Sequence, residues 1–113
     1  MKIQEVLSYD DVLLVPRRSD ILSRSEVNLQ SLLGDLSFDL PVISAPMDTV
    51  TEASMCVAMS EAGGLGVIHR YNTIDEQVDI VKDILNYFPP THQLRPAAAI
   101  GVTNDFYERA QAL

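Results

Sequence analysis

The chain has 113 residues, 47% of them hydrophobic, so it is long enough and apolar enough for one folded domain. Its formal net charge of −8 excludes the broad basic surface that nucleic acids and anionic membranes require. The one cysteine, Cys56, excludes an internal disulfide, and we expect no metal site. Because the sequence shows no apolar leader and no long apolar run, we expect a cytoplasmic protein without membrane contact.

The first forty residues carry no strong pattern. Apolar and polar residues alternate weakly between Leu7 and Val27, and Pro16 interrupts the run. We expect an irregular segment with a short strand or two. The adjacent Asp10 and Asp11 would point to opposite faces of an extended segment, so they are not expected to form a catalytic pair.

A first strand–helix unit is predicted from residue 41 onward. The apolar run 41–45 has the length of a buried strand. Thr49 and Glu52 have the spacing of a capping box, which predicts a helix over 50–62. Glycines at 63 and 64 should end that helix, and 65–69 is predicted as the second strand.

The pattern then repeats twice. Thr73 and Glu76 form a second capping-box pattern, and Pro89 and Pro90 should end the helix that follows. Apolar residues recur on one predicted face of this helix at Ile74, Val78, Val81, Leu85 and Phe88. A third strand is predicted over 97–102, and Asn104 is placed to cap a third helix.

Three strand–helix units in succession predict parallel strands joined by right-handed crossovers. The pattern fits an open doubly wound sheet or part of a (β/α)8 barrel, and such a barrel needs about 250 residues. In the barrel interpretation residues 1–113 are the N-terminal portion of a single catalytic barrel, with about three of its units after an irregular segment.

Ligands of parallel α/β proteins bind beyond the carboxyl ends of the strands. That rule selects the loops 46–49, 70–72 and 103–104, with His69 beside them. Met47 suits contact with a flat base or sugar, Asp48 can accept hydrogen bonds from hydroxyls, and a helix start near residue 50 suits a phosphate. The alternative is that Met47 packs in the core and Asp48 caps the helix.

For the other reactive side chains the structural interpretation is the favoured one. His69 could be a hydrogen-bonded structural histidine, and Arg70 could form a surface ion pair instead of binding a phosphate. Cys56 falls among apolar residues with no base beside it, so it is predicted to be a packed thiol rather than a nucleophile. Gly63–Gly66 follows a helix, so it is interpreted as a helix stop and not as a dinucleotide fingerprint.

The segments "LSYDDVLLVP" (7–16), "PVISAPMDTVTEA" (41–53) and "GGLGVIHR" (63–70) together resemble the N-terminal part of the IMP dehydrogenase/GMP reductase family. The segment "AAAIGV" (97–102) is similar to the next strand of that family's barrel. The motifs are collinear and cover nearly the whole chain. In motif the chain is closest to the dehydrogenases.

The resemblance implies a (β/α)8 barrel that binds a purine nucleotide monophosphate, IMP or GMP, at its rim. Dehydrogenases of the family oxidise IMP to XMP with NAD in guanine nucleotide biosynthesis, use a monovalent cation such as potassium, and are homotetramers. GMP reductases convert GMP to IMP with NADPH. In both, a cysteine attacks the purine ring.

The resemblance also implies roles for individual residues. The family's nucleotide-contacting Ser-x-Met pair falls on Ala45 and Met47, and Ser44 could replace the missing hydroxyl only if it faces the pocket. Asp48 is assigned to the same substrate site. Supporting or cofactor-side positions are assigned to Thr49, His69, Asn72 and Thr103.

Two departures from the family pattern affect these expectations. The family's cysteine loop would lie beyond residue 113, so no catalytic residue is assigned here and the chain alone is expected to be inactive. Only about nine residues, Pro89 to Ala97, occupy the join where most dehydrogenases insert a tandem CBS module, so no such insertion is expected. This leaves the choice between dehydrogenase and reductase open.

Two other interpretations are open. Flavin-dependent barrels such as nitronate monooxygenases carry similar "PxxxAPM" and "AGGLG" segments, which approach FMN. The second interpretation is a non-catalytic half-barrel that assembles with a partner chain. Its uncovered sheet edges predict that the isolated chain associates or folds poorly.

Overall fold

A computed structural model describes residues 5–92 and 96–113. In chain order its elements are a 3-10 turn at Arg24–Glu26, β1 Ser31–Leu33, β2 Leu36–Phe38, β3 Ile43–Ser44, α1 Ala53–Glu61, β4 Leu65–Ile68, α2 Ile74–Tyr87, β5 Ala97–Ala98 and α3 Phe106–Ala112. The predicted alternation of strand and helix after residue 40 is confirmed, although each strand is shorter than its apolar run.

The strands β3, β4 and β5 form a three-stranded parallel sheet in sequential order. Ile43 pairs with Leu65 in the first ladder, and Val67 pairs with Ala97 in the second. Each parallel pair is joined through a helix, as the crossover rule requires. The mixed α/β class is therefore confirmed, with β4 at the centre of the sheet.

Residues 5–30 are largely irregular, as the weak pattern predicted, and the structure shows that they are exposed. This segment leads into an antiparallel hairpin of β1 and β2, which turns at Gly34. Gly34 has φ +59°, a left-handed conformation that glycine adopts without strain. Phe38, at the end of the hairpin, is 3% exposed and packs with Leu65, so the hairpin is anchored to the parallel sheet.

The second core cluster lies where α1 and α2 cover β4. Cys56, Ile68 and Ile84, one from each element, are almost fully buried and pack together. Helix α1 ends at Glu61, and Gly63, with φ +82°, stops it as predicted. The Gly63 N–H donates to Ser60 O and the Gly64 N–H to Met59 O, which is the paired bonding of a Schellman motif.

The predicted capping box at the start of α1 is wrong. The helix begins at Ala53 with Glu52 at its N-cap, three residues later than predicted. The chain makes a tight turn at residues 47–51 instead, and the Glu52 carboxylate accepts a hydrogen bond from His69. The second capping box is confirmed, with reciprocal bonds between Thr73 and Glu76.

The predicted buried face of α2 is only partly right. Its fully buried residues are Gln77 and Ile84, whereas Leu85 is 37% exposed. A hydrophobic pattern cannot find Gln77, because this polar side chain is buried by hydrogen bonding and not by its apolar surface.

Helix α3 begins at Phe106, with Asp105 at its N-cap. Asn104 was predicted to cap it but has φ +58°, a left-handed conformation in the turn before the helix. Within residues 5–92 and 96–113, no helix has the length and hydropathy needed to cross a bilayer.

Candidate functional site

The carboxyl ends of the parallel strands lead into three loops, which we call the rim: residues 45–52, 69–73 and 99–105. A cavity of about 530 Å³ lies between the first two loops and the start of α2. Its lining includes Asp48, Glu52, His69, Asn72, Glu76 and Asp79. Three residues predicted from the sequence, Asp48, His69 and Asn72, are thus brought together.

The first rim loop is held by Thr51, which is fully buried. Its hydroxyl lies 2.9 Å from the Ser44 hydroxyl and also donates to Ala45 O. The N–H groups of Val50 and Thr51 both donate to Met47 O, which closes the turn. The Ser44 hydroxyl therefore has an internal partner, and the loop is fixed through its backbone.

Met47 and Asp48 lie at the outer end of this turn. The Met47 side chain is 50% exposed, so it is not packed in a core. The Asp48 carboxylate accepts a hydrogen bond from the Thr49 N–H at 2.9 Å, four residues before α1 begins, so it does not cap the helix. Both side chains are accessible at the rim, and Ala45 and Thr49 are exposed beside them.

His69 is 3% exposed at the end of β4 and forms two hydrogen bonds. Its Nε2 lies 2.6 Å from Glu52 Oε1, and its Nδ1 lies 3.1 Å from the Tyr71 N–H. Because the Tyr71 amide can only donate, Nδ1 is the acceptor and the proton of the neutral ring resides on Nε2. His69 therefore donates to Glu52, and the imidazole has a defined tautomer and orientation.

Sequence reasoning missed three residues that build this region: Glu52, Gln77 and Arg109. Gln77 is fully buried and Arg109 is 5% exposed, and the two are hydrogen-bonded to each other. The available signal was a polar residue within an otherwise apolar helix face, which is a reason to look for a buried hydrogen-bond network. Glu52 was predicted to cap its own helix, so its hydrogen bond with His69 was not expected.

The third rim loop is less involved in the cavity. Thr103 is exposed in the turn before α3. The Arg70 guanidinium lies against Gly101, where an added Cβ would come within 2.9 Å of Arg70 Cζ. The pKa of Asp105 is lowered first by its hydrogen bond from Arg109, with a smaller contribution from the charge of Arg70.

The charge of the cavity decides what it can accept. Asp48, Glu52, Glu76 and Asp79 all line it, so a phosphate would be repelled. Helix α1 starts at Ala53 with the acidic Glu52 at its N-cap, which disfavours the predicted phosphate contact at that helix start. Carboxylates suit the hydroxyls of a sugar or a cationic group. In the described residues, no three His, Cys, Asp or Glu side chains are arranged to hold a metal ion.

Cys56 lies below the site and is a packed thiol, as predicted. It is fully buried, and burial together with the nearby charge of Glu52 raises its pKa to about 11. A thiol that is neutral and inaccessible at physiological pH cannot serve as a nucleophile.

These features define an α/β protein with a parallel sheet and an acidic cavity beside the loops that follow the strand ends, which is where nucleotide-dependent enzymes of this class bind their ligands. Residues 6–113 match the family model described as the IMP dehydrogenase / GMP reductase domain. The chain therefore belongs to the IMP dehydrogenase/GMP reductase family, as its motifs predicted.

Individual relatives agree with this assignment. The chain is 54% identical over 82 residues to an inosine-5'-monophosphate dehydrogenase of Nitrosopumilus maritimus. It is 50% identical over 82 residues to the enzymes of the same name from Staphylococcus aureus and Staphylococcus epidermidis. Each match covers 72% of this chain but only 17% of the relative, so the chain spans a small part of the relatives' length.

Proposed function

We propose that residues 1–113 are the N-terminal part of a (β/α)8 catalytic barrel, without a CBS insertion, and that the complete barrel oxidises IMP to XMP with NAD. Two findings support this proposal: membership of the family, and the sequential parallel order of β3, β4 and β5, which is the order of successive strands in such a barrel. The reaction places the protein in guanine nucleotide biosynthesis.

The observation that carries the substrate assignment is the position of Met47. Its thioether is half exposed at the carboxyl end of β3, on a turn that Thr51 fixes from below. A polarisable and adaptable side chain in that position suits the flat face of a purine. Ala45 and Asp48 flank it, and the Ser44 hydroxyl, already bonded to Thr51, has a supporting role.

The nucleotide phosphate lies outside the acidic cavity, because four carboxylates would oppose its charge. We assign the cavity to the nicotinamide and adjoining ribose of the cofactor, whose phosphates lie outside it for the same reason. The oxidised nicotinamide ring is cationic and its ribose carries hydroxyls, and both suit the carboxylates of Asp48 and Glu52.

The buried polar atoms of the cavity also fit a cofactor. Among the described residues, Asn72 Nδ2 and Oδ1 are buried without a hydrogen-bond partner, as expected of an amide that awaits a polar ligand. NAD held there would supply the hydride acceptor for the oxidation of the substrate. His69 contributes a fixed imidazole beside the same cavity. Thr49 and Thr103, which lie outside its lining, are proposed as supporting residues of the rim.

The remaining parts of the mechanism are proposed to lie outside this chain. The buried Cys56 cannot attack a purine, so the nucleophile must come from another segment of the barrel, and the 113 residues alone are inactive. The complete enzyme is proposed to be a cytoplasmic homotetramer that uses potassium.

A GMP reductase, which would use NADPH, is the second candidate. The short join from Pro89 to Ala97, part of which lies outside the described residues, favours it because this join leaves no room for a CBS module. The flavin-dependent alternative is not proposed, since the family assignment does not support it. The remaining alternative is a non-catalytic half-barrel, which the absence of activity in the fusion described below would favour.

The test is reconstitution. The chain is fused to the downstream part of the Nitrosopumilus maritimus relative, in place of that protein's matching segment, and NADH and XMP are measured with IMP and NAD. The chain alone and the downstream part alone are the controls. Activity in the fusion only is expected, and a folded fusion without activity would contradict the proposal.

A further inference from the structure

We infer that Gln77 and Arg109 are positioning residues for the cavity: Arg109 of α3 sets the orientation of the Gln77 amide, which in turn holds the ends of β4 and β5. The position of these residues does not depend on the ligand. The statement that they position a cofactor site rests on the proposed function.

Gln77 joins two strand ends from beneath. Its Nε2 donates to the carbonyl oxygen of His69 at 2.9 Å and to that of Ala99 at 3.0 Å. These carbonyls follow the last paired residues of β4 and β5, Ile68 and Ala98. One fully buried amide group therefore fixes the distance between the two strands where the rim begins.

Arg109 reaches the same point from α3. Its Nη1 donates to Gln77 Oε1 at 2.8 Å, and its Nη2 donates to Asn72 O at 3.1 Å. Its Nε and Nη2 also bond Asp105 Oδ2, at 3.1 and 2.6 Å, which anchors the guanidinium to the start of α3. A single buried cation thus contacts a side chain of α2 and the backbone of the second rim loop.

The direction of control follows from donor and acceptor chemistry. A carboxamide can be rotated by half a turn, and only one orientation directs its NH₂ group to the two carbonyls. The guanidinium has donors only, so it accepts no bond and must face Gln77 Oε1. Arg109 therefore forces the Gln77 NH₂ group toward His69 and Ala99.

The consequence is that both ends of the loop 69–72 are held by this pair. Gln77 holds the carbonyl of His69, whose ring bonds Glu52 in the cavity wall. Arg109 holds the carbonyl of Asn72, whose amide is the unpartnered polar group described above. A change at Arg109 should therefore be transmitted to the cavity, although Arg109 is not part of its lining.

The test compares Gln77→Glu and Arg109→Lys in the reconstituted fusion. Gln77→Glu keeps the size and the Arg109 partner but loses both donors to the strand ends. Arg109→Lys keeps the charge but cannot bond Gln77, Asn72 and Asp105 together through a planar fork. The matched control is Gln111→Glu, which makes the same substitution at an exposed glutamine of α3.

The first measurement is hydrogen–deuterium exchange by mass spectrometry. Peptides covering 69–73 and 99–105 should exchange about tenfold faster in both variants, the effect of about one lost hydrogen bond, while α1 peptides keep wild-type rates. Faster exchange throughout would indicate a general loss of stability and would overturn the inference, as would unchanged exchange at the rim. This measurement needs no activity, so it decides the inference even if the proposed reaction fails.

The second measurement separates a positioning role from a structural one. If the fusion is active, KM for NAD should rise about tenfold in both variants, with KM for IMP within about twofold of wild type. Gln111→Glu should leave both constants unchanged. Equal increases for the two substrates, or a fall in the amount of active enzyme alone, would contradict a specific role at the cavity.

Discussion

Gly66 of β4 lies in direct contact with Cys56 of α1. A Cβ added at Gly66 would fall 2.5 Å from Cys56 Sγ and 2.6 Å from Cys56 Cα, well inside van der Waals contact. The helix can therefore approach the central strand this closely only because residue 66 has no side chain. Because Cys56 belongs to the second core cluster, this contact sets how closely α1 packs on β4 there.

Replacing this glycine should strongly destabilise the protein. Gly66→Ala is expected to lower the free energy of unfolding by about 3 kcal/mol, because overpacking here cannot be relieved by a rotamer change. Urea unfolding followed by circular dichroism measures the change. Gly34→Asn is the control, since Gly34 has open space around it and asparagine tolerates its φ of +59°.

A second substitution tests the cause. Cys56→Ala should not rescue Gly66→Ala, because the Cα of residue 56 is as close as its sulfur. Recovery of wild-type stability in the double variant would show that the thiol alone sets the spacing, and would contradict the backbone contact.

The Cys56 thiol should be unreactive in the folded chain. Its pKa of about 11 and its full burial leave roughly one thiolate in ten thousand at pH 7, and that one is inaccessible. We expect a thiol reagent to label Cys56 only when urea unfolds the chain. Because the folded pKa lies above its ordinary value of 9.0, the stability linked to this thiol is present below pH 9.0 and is lost as the pH rises toward 11. Rapid labelling under native conditions would contradict the structure.

The two Thr-x-x-Glu sequences should respond differently to the same substitution. Thr73→Ala removes a cap that bonds the Glu76 N–H and is expected to cost about 1 kcal/mol of stability. Thr49→Ala should change stability by less than about 0.5 kcal/mol, because Thr49 is exposed and lies within a turn rather than at the start of a helix. Equal losses in thermal or urea unfolding would contradict the assigned start of α1.

Met47 should matter for nucleotide binding and not for stability. In the reconstituted fusion, Met47→Ala is expected to raise KM for IMP about tenfold, the equivalent of about 1.4 kcal/mol of lost contact. The melting temperature should hardly change, since the side chain is half exposed. Met55→Ala, at a partly exposed methionine of α1, is the matched control and should affect neither quantity.

The Asp105–Arg109 pair predicts a dependence of stability on acid. Hydrogen bonding from Arg109 holds the pKa of Asp105 below its usual value, so at acid pH the unfolded chain binds the extra proton more readily. The stabilisation is therefore complete above the ordinary aspartate pKa and is lost as the pH falls through the lowered one. The difference in free energy of unfolding between wild type and Asp105→Asn, measured from about pH 6 to pH 2, should shrink in that window. A constant difference would contradict the ion pair.

The sequence by itself determined the order of the elements and the edge of the sheet that carries the rim. Short apolar runs, glycine stops and the Thr73 cap act over a few residues, so their signals survive in the sequence. The motifs likewise predicted the family, because their identity and their order along the chain are properties of the sequence alone.

Only the tertiary structure decided which polar groups meet. Glu52 could cap its own helix or bond a residue of β4, and the packing of α1 against β4 selected His69, which lies 17 positions away. Gln77 and Arg109 are separated by 32 positions and have no local pattern in common. The partner of a buried polar group depends on where distant backbone segments lie, and side-chain periodicity does not encode those positions. The acidic cavity and its supporting network therefore follow only from the packing of β4, α2 and α3.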